Sequence, residues 1–161
     1  MSRARGKIEV ESAKGRGTKV TVHLPGTPAA GDERSPDDDE PEATILLAED
    51  EPSLRTLACS ILEAARWRVL EARDGREALE IAERYPGMID LLLTDVVMPE
   101  LNGPELAQQL RSLRPDLRVL YMSGYADSTL MRTSEHGAPL VRKPFDPDEL
   151  TTRVRAMLDA G

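Results

Sequence analysis

Aromatic residues make up 3% of this 161-residue chain, with a single tryptophan and a single phenylalanine. Its core must therefore be built from aliphatic side chains. There is one cysteine, Cys59. A lone thiol set among apolar residues in a helical pattern predicts a buried side chain in a reducing compartment and excludes a disulfide framework. No apolar run approaches the roughly 18 residues of a membrane span, and no signal-peptide pattern opens the chain, so the expected setting is cytoplasmic, without membrane contact. Excess positive charge is also missing. The formal net charge is -8, which argues against a nucleic-acid binder and suits a protein that collects a divalent cation.

The charge is unevenly spread. Residues 1–27 carry a net +4, residues 28–42 a net -6 and the remainder a net -6. Residues 28–42, from Pro28 to Glu42, hold almost no apolar side chains. Such a segment cannot bury enough surface to offset the entropy of ordering, which predicts a flexible acidic linker. Before it, Lys7 to Ser12 and Thr18 to Pro25 alternate polar and apolar residues around a glycine-containing turn, the pattern of a β-hairpin. Two short strands are too few to be stable alone, so this hairpin is expected to be the end of a larger unit and disordered by itself.

After the linker, short apolar runs alternate with helical periodicity. Strands are expected at 44–49, 67–71, 89–94, 117–122 and 139–142. Helices follow from the spacing of Leu54, Leu57, Ala58, Ile61, Leu62 and Ala65, of Ala78, Leu79, Ile81 and Ala82, of Leu106 and Leu110, and of Leu150, Val154, Met157 and Leu158. Pro52 and Pro104 fit first-turn positions, where no N–H is needed. Five strands alternating with five helices through short loops predict an α/β domain over 43–161, a doubly wound five-stranded parallel sheet.

The strand ends carry the chemistry. Leu91-Leu92-Leu93-Thr94 runs into Asp95, and ligands gather at the carboxyl edge of an open parallel sheet. Ile45-Leu46-Leu47-Ala48 runs into Glu49-Asp50, the strand ending at Met122 into Ser123-Gly124, and Leu140-Val141-Arg142 into Lys143. An Asp acceptor, two further carboxylates for Mg²⁺, a lysine point charge and a hydroxyl are the parts of a phosphoryl-transfer site, where positioning and charge stabilisation do most of the catalysis. An acidic pair or a Lys-Pro alone is commonly a solvated loop. The order of all four on separate strand ends is what points to a site.

These residues resemble a known family. Ala48-Glu49-Asp50-Glu51, Thr94-Asp95-Val96-Val97-Met98-Pro99, Met122-Ser123-Gly124 and Lys143-Pro144-Phe145 are similar to the signatures of response-regulator receiver domains. The resemblance covers 43–161. It implies a (βα)₅ flavodoxin-like fold and phosphorylation of Asp95 by phosphohistidine. It implies Mg²⁺ held by Glu49 or Asp50, Asp95 and the backbone carbonyl of Val97, with Ser123 and Lys143 holding the phosphoryl group. Leu140 stands where the family usually has an aromatic switch residue, which predicts a smaller rearrangement of the face that includes Met131. An apolar Val97 and a bulky Tyr125 bear on the rate of dephosphorylation.

Residues 5–25 resemble the last hairpin of a histidine-kinase ATP-binding domain, through Gly15-Arg16-Gly17-Thr18 and the closing Leu24-Pro25. Together the two resemblances imply the C-terminal part of a hybrid sensor histidine kinase. Its partners would be a kinase dimerisation and phosphoacceptor domain or a histidine phosphotransfer protein. Neither His23 nor His136 lies in a phosphoacceptor helix pattern, so this piece alone is not expected to be a kinase. Two other readings compete. An aspartyl-phosphate phosphatase of the haloacid-dehalogenase type also uses an Asp after a strand, but it wants a second Asp where Val97 stands. A pseudo-receiver would bind partners without phosphorylation.

Overall fold

The computed structural model describes residues 7–12, 18–23, 40–124 and 138–160. The chain divides into two compact units between Asp39 and Glu40. The first holds β1 (Lys7–Ser12) and β2 (Thr18–His23), antiparallel with Lys7 opposite His23 and Ser12 opposite Thr18. The alternation in the sequence predicts this hairpin.

The second unit runs β3 (Thr44–Ala48), α1 (Pro52–Ala64), β4 (Arg68–Ala72), α2 (Gly75–Arg84), β5 (Leu91–Asp95), α3 (Gly103–Leu113), β6 (Arg118–Ser123), β7 (Leu140–Arg142) and α4 (Pro147–Asp159). The five strands form one parallel sheet in the order β4-β3-β5-β6-β7. This is the doubly wound α/β sheet that the pattern predicts. Each strand lies within two residues of its expected bounds. Four helices are described. The expected fifth, between β6 and β7, falls in 125–137, outside the described residues, together with Tyr125, Met131 and His136.

Strand alternation sorts the aliphatic residues onto two faces. Ile45, Leu47, Leu91, Leu93, Leu120, Met122 and Val141 point to the side covered by α1 and α4, where Ala58, Leu62, Leu150 and Val154 meet them. Leu46, Leu92, Val119 and Tyr121 point to the side covered by α2 and α3, against Ala78, Ala82, Leu106 and Leu110. Full burial of each leucine contributes about 2 kcal/mol, so the core needs little aromatic surface. Trp67 and Phe145 fill gaps on the first face.

Helix entries are defined by side chains. The Asp74 carboxylate accepts from the Glu77 N–H at 2.8 Å at the start of α2, and the Asp146 carboxylate from the Glu149 N–H at 2.7 Å at the start of α4. Asn102 and Glu105 form a reciprocal capping box at α3. Helix α1 is the exception, beginning on Pro52 without a side-chain cap at Glu51. At the far ends, Arg114 donates to the carbonyls of Ala82, Tyr85 and Gly87 at 2.8–2.9 Å, tying the end of α3 to the exit of α2. Cys59 is buried as expected, and burial, reinforced by Glu71 and Glu63, pushes its thiol pKa up to about 12. That thiol stays protonated and unreactive at neutral pH.

Candidate functional site

The strand order reverses direction between β3 and β5, since the chain leaves β3 for β4 on one side and returns to β5 on the other. A crevice opens at such a point outside the carboxyl ends of the strands. Asp95 is the last residue of β5, and Glu49 and Asp50 follow β3 directly. One carboxylate oxygen from each of the three lies within 4.8 Å of the others. Their environments differ: Glu49 is 1% exposed and Asp95 6%, whereas Asp50 is exposed.

Lys143, just past β7, closes the group. Its Nζ lies 2.7 Å from Asp95 Oδ2 and 2.7 Å from Glu49 Oε2. The bond to Asp95 is a regular hydrogen bond. The approach to Glu49 is an ion pair at the same distance, with poorer hydrogen-bond alignment at the buried Oε2. Glu49 Oε1 accepts from the Glu51 N–H at 3.1 Å, and Asp95 Oδ1 from the Val97 N–H at a long 3.4 Å.

One ammonium shared by two buried carboxylates sets the electrostatics. Burial pushes the Glu49 carboxyl above its ordinary range, with Asp95 adding repulsion and Lys143 only partly opposing. Burial also pushes Asp95 up against the pull of Lys143. Burial works to lower the Lys143 pKa, but its contacts with Asp95 and Glu49 outweigh that and hold it above its ordinary value. The lysine gains two partners while each carboxylate gains half of one, so both directions follow from the same geometry.

Does this arrangement fit a divalent cation? The donors are all hard oxygens, as Mg²⁺ prefers. Three carboxylates share one ammonium, so the cluster is under-neutralised, and Asp50 lies on the solvent side. The residues fit the ion.

Ser123 ends β6 beside β5, where Asp95 pairs with Met122. Its hydroxyl donates to the Gly124 carbonyl at 3.0 Å, and its own carbonyl accepts from the Lys143 N–H at 2.8 Å. Val97, the second residue past the end of β5, is 45% exposed. Leu140 is half-buried against the α2–α3 face.

Two residues at the site have roles that the sequence pattern does not disclose. Gly103 begins α3 against the back of Asp95, where an added Cβ would collide with the Asp95 carbonyl oxygen. The Gly103 N–H also donates to the Val96 carbonyl at 3.0 Å. Arg55, in the first turns of α1, donates to the Glu49 carbonyl at 2.8 Å. The asparagine-glycine pair before Pro104 and the basic residue five after the acidic pair are the only sequence signals for them.

Comparison with known proteins agrees with this geometry. The family model for the response regulator receiver domain matches residues 45–155. Sensor kinase CckA of Brucella abortus (strain 2308) is 36% identical over 168 residues, covering 96% of this chain. The chain spans only 18% of that relative's length. The response regulator receiver protein CpdR of the same organism is 36% identical over 119 residues, covering 73% of this chain and 98% of CpdR. The crystal structure of the receiver domain from hybrid histidine kinase CckA superposes with a TM-score of 0.62 at 40% identity, covering 72% of this chain and 99% of that one. By its sheet order, the carboxylates and lysine at its switch point and these likenesses, the chain belongs to the response regulator receiver domain family of two-component signalling.

Proposed function

We propose that Asp95 is the phosphoacceptor of this receiver and takes its phosphoryl group from a phosphohistidine. The observation that carries the reading is the Asp95 carboxylate at the switch point, 2.7 Å from Lys143 and clustered with Glu49 and Asp50. An Asp95 carboxylate oxygen attacks phosphorus, the O–P bond forms as the N–P bond breaks, and the leaving imidazole nitrogen recovers a proton. Lys143 neutralises a phosphoryl oxygen as a point charge, and Ser123, by turning its hydroxyl away from Gly124, would bind another. Glu49, Asp50, Asp95 and the Val97 carbonyl would hold Mg²⁺, which when bound supplies the charge that lets two anions approach.

The same reading extends to the whole chain. Residues 1–27 are the end of a histidine-kinase ATP-binding domain, 28–42 an acidic linker and 43–161 the receiver of a hybrid sensor kinase. The identity to CckA over 96% of the chain supports this. The partner would be the kinase's own dimerisation and phosphoacceptor domain or a histidine phosphotransfer protein, met in the cytoplasm.

The test is incubation with Mg²⁺ and acetyl phosphate, followed by intact mass. Wild type is expected to gain one phosphoryl group and Asp95→Asn none. Equal labelling of the two would move the acceptor elsewhere.

A further inference from the structure

We propose that Arg55 is a positioning residue for the metal-binding carboxylates, acting through the backbone that carries them. The inference rests on the reading above, in which Glu49, Asp50 and Asp95 hold Mg²⁺.

The loop from β3 to α1 has to deliver two adjacent carboxylates to one point. Little holds it there. The Glu49 N–H still belongs to the sheet, donating to Ala72 O at 3.2 Å. The first α-helical bond of α1 is Arg55 N–H to Glu51 O at 2.9 Å. Between these points the helix entry lacks the side-chain cap that α2, α3 and α4 each have. Pro52 at the entry contributes no N–H.

Arg55 fills this gap from the helix side. One guanidinium nitrogen, Nη1, lies 2.8 Å from the Glu49 carbonyl and 3.5 Å from the Asp50 carbonyl. Its Nε faces Glu71 on β4 at 3.9 Å, and the side chain is only 20% exposed. The guanidinium therefore ties the loop back onto α1, with Glu71 only loosely beside it. Its main bond goes to the carbonyl of the buried ligand, so rotation of that peptide is restrained. Glu49 is then free to use Oε1 on the Glu51 N–H while Oε2 faces Lys143. Nη1 alone reaches both carbonyls, and the rigid guanidinium plane fixes its direction in a way that a freely rotating ammonium does not.

A merely structural role predicts something different. If the Arg55–Glu71 contact were what mattered, it would be a loose surface ion pair worth little, and removal of either partner would have the same effect. If Arg55 positions ligands, Mg²⁺ binding must change through Arg55 alone. Groups that orient metal ligands typically alter metal affinity by 10–100-fold.

The experiment uses the full chain. Mg²⁺ dissociation constants are measured by calorimetric titration for wild type, Arg55→Ala, Arg55→Lys, Glu71→Gln and the double variant Asp50→Asn, Asp95→Asn. Phosphorylation by acetyl phosphate is followed against Mg²⁺ concentration in parallel. Arg55→Ala is expected to weaken Mg²⁺ about tenfold and to raise the half-saturating Mg²⁺ by the same factor, with the rate at saturating Mg²⁺ little changed. Arg55→Lys should recover part of the loss, and Glu71→Gln should bind as wild type does. Wild-type affinity in Arg55→Ala, or an equal loss in Glu71→Gln, overturns the proposal. If Arg55→Ala does not fold, Arg55→Lys decides: unchanged affinity overturns the proposal and a several-fold loss supports it. A double variant that binds Mg²⁺ as tightly as wild type would instead overturn the underlying metal reading, and the role of Arg55 with it.

Discussion

Asp95, Glu49 and Lys143 form a group with two negative charges and one positive, all poorly hydrated, and pH acts on it in a definite direction. The carboxyl pKa values of Glu49 and Asp95 are raised above their ordinary values of 4.5 and 3.8. A group raised on folding contributes stability that is fully present below the unfolded pKa and is lost as pH rises through the folded one. In the metal-free protein these two groups therefore favour the fold under acid conditions and oppose it near neutrality. Lys143 is also raised, so its contribution persists at neutral pH and is lost only above its ordinary 10.5. Asp95→Asn removes one member of the repulsive pair and leaves Lys143 with Glu49. Without Mg²⁺ it is expected to melt about 2–4 °C above wild type at pH 7, with a flatter dependence between about pH 4 and 7. Scanning calorimetry in chelator at several pH values measures this. An equal or lower melting temperature at pH 7 would show that the lysine fully compensates both carboxylates.

At the level of elements, the crevice depends on how tightly α3 closes on β5. Gly103 permits that approach because it has no Cβ to meet the Asp95 carbonyl. Gly103→Ala must push the helix start away, and overpacking of this kind costs about 1–3 kcal/mol. Urea denaturation is expected to show that loss, and Mg²⁺-dependent labelling of Asp95 should slow because the acceptor's own backbone shifts. Stability and labelling equal to wild type would mean that the loop from Val96 to Asn102 absorbs the methyl group freely. Positions such as this limit what a sequence discloses. The strands, the helical faces and the order of Asp95, Ser123 and Lys143 were legible because periodicity and strand ends are local properties. The proximity of Gly103 to Asp95, the three hydrogen bonds from Arg114 to the exit of α2, and the reach of Arg55 join residues through three-dimensional packing. No local pattern encodes them. The acidic pair is an intermediate case: its presence is plain in the sequence, but only the sheet shows that Glu49 is buried while Asp50 is exposed.

At the scale of the whole molecule, the boundary between the two units lies just before Glu40, and the family match from Ile45 to Arg155 lies inside the second. The Glu42 N–H donates to the Arg66 carbonyl at 3.3 Å, and the Glu42 carboxylate lies 3.6 Å from Arg155. These contacts belong to the second unit, so a fragment of residues 40–161 keeps them. It is expected to melt within about 2 °C of the full chain and to be labelled on Asp95 at the same rate. A marked loss of either would show that residues 1–39 contribute to the receiver's stability or to its chemistry.

Trp67 lies at the opposite pole from the acidic crevice. It is 3% exposed, immediately before the first residue of β4, with the Arg155 guanidinium 5.3 Å from its ring centre. Five strand residues separate the two ends of the sheet, about 16 Å at 3.3 Å per residue. Because this is the chain's single tryptophan, intrinsic emission is a built-in optical probe of one end only. It should change strongly in urea, as the ring leaves the core, and stay constant when Mg²⁺ or acetyl phosphate saturates the other end. A change in emission on adding Mg²⁺ at saturating concentration would reveal that events at Asp95 are transmitted along the full length of the strands, making this tryptophan a signal-state reporter rather than an unfolding probe.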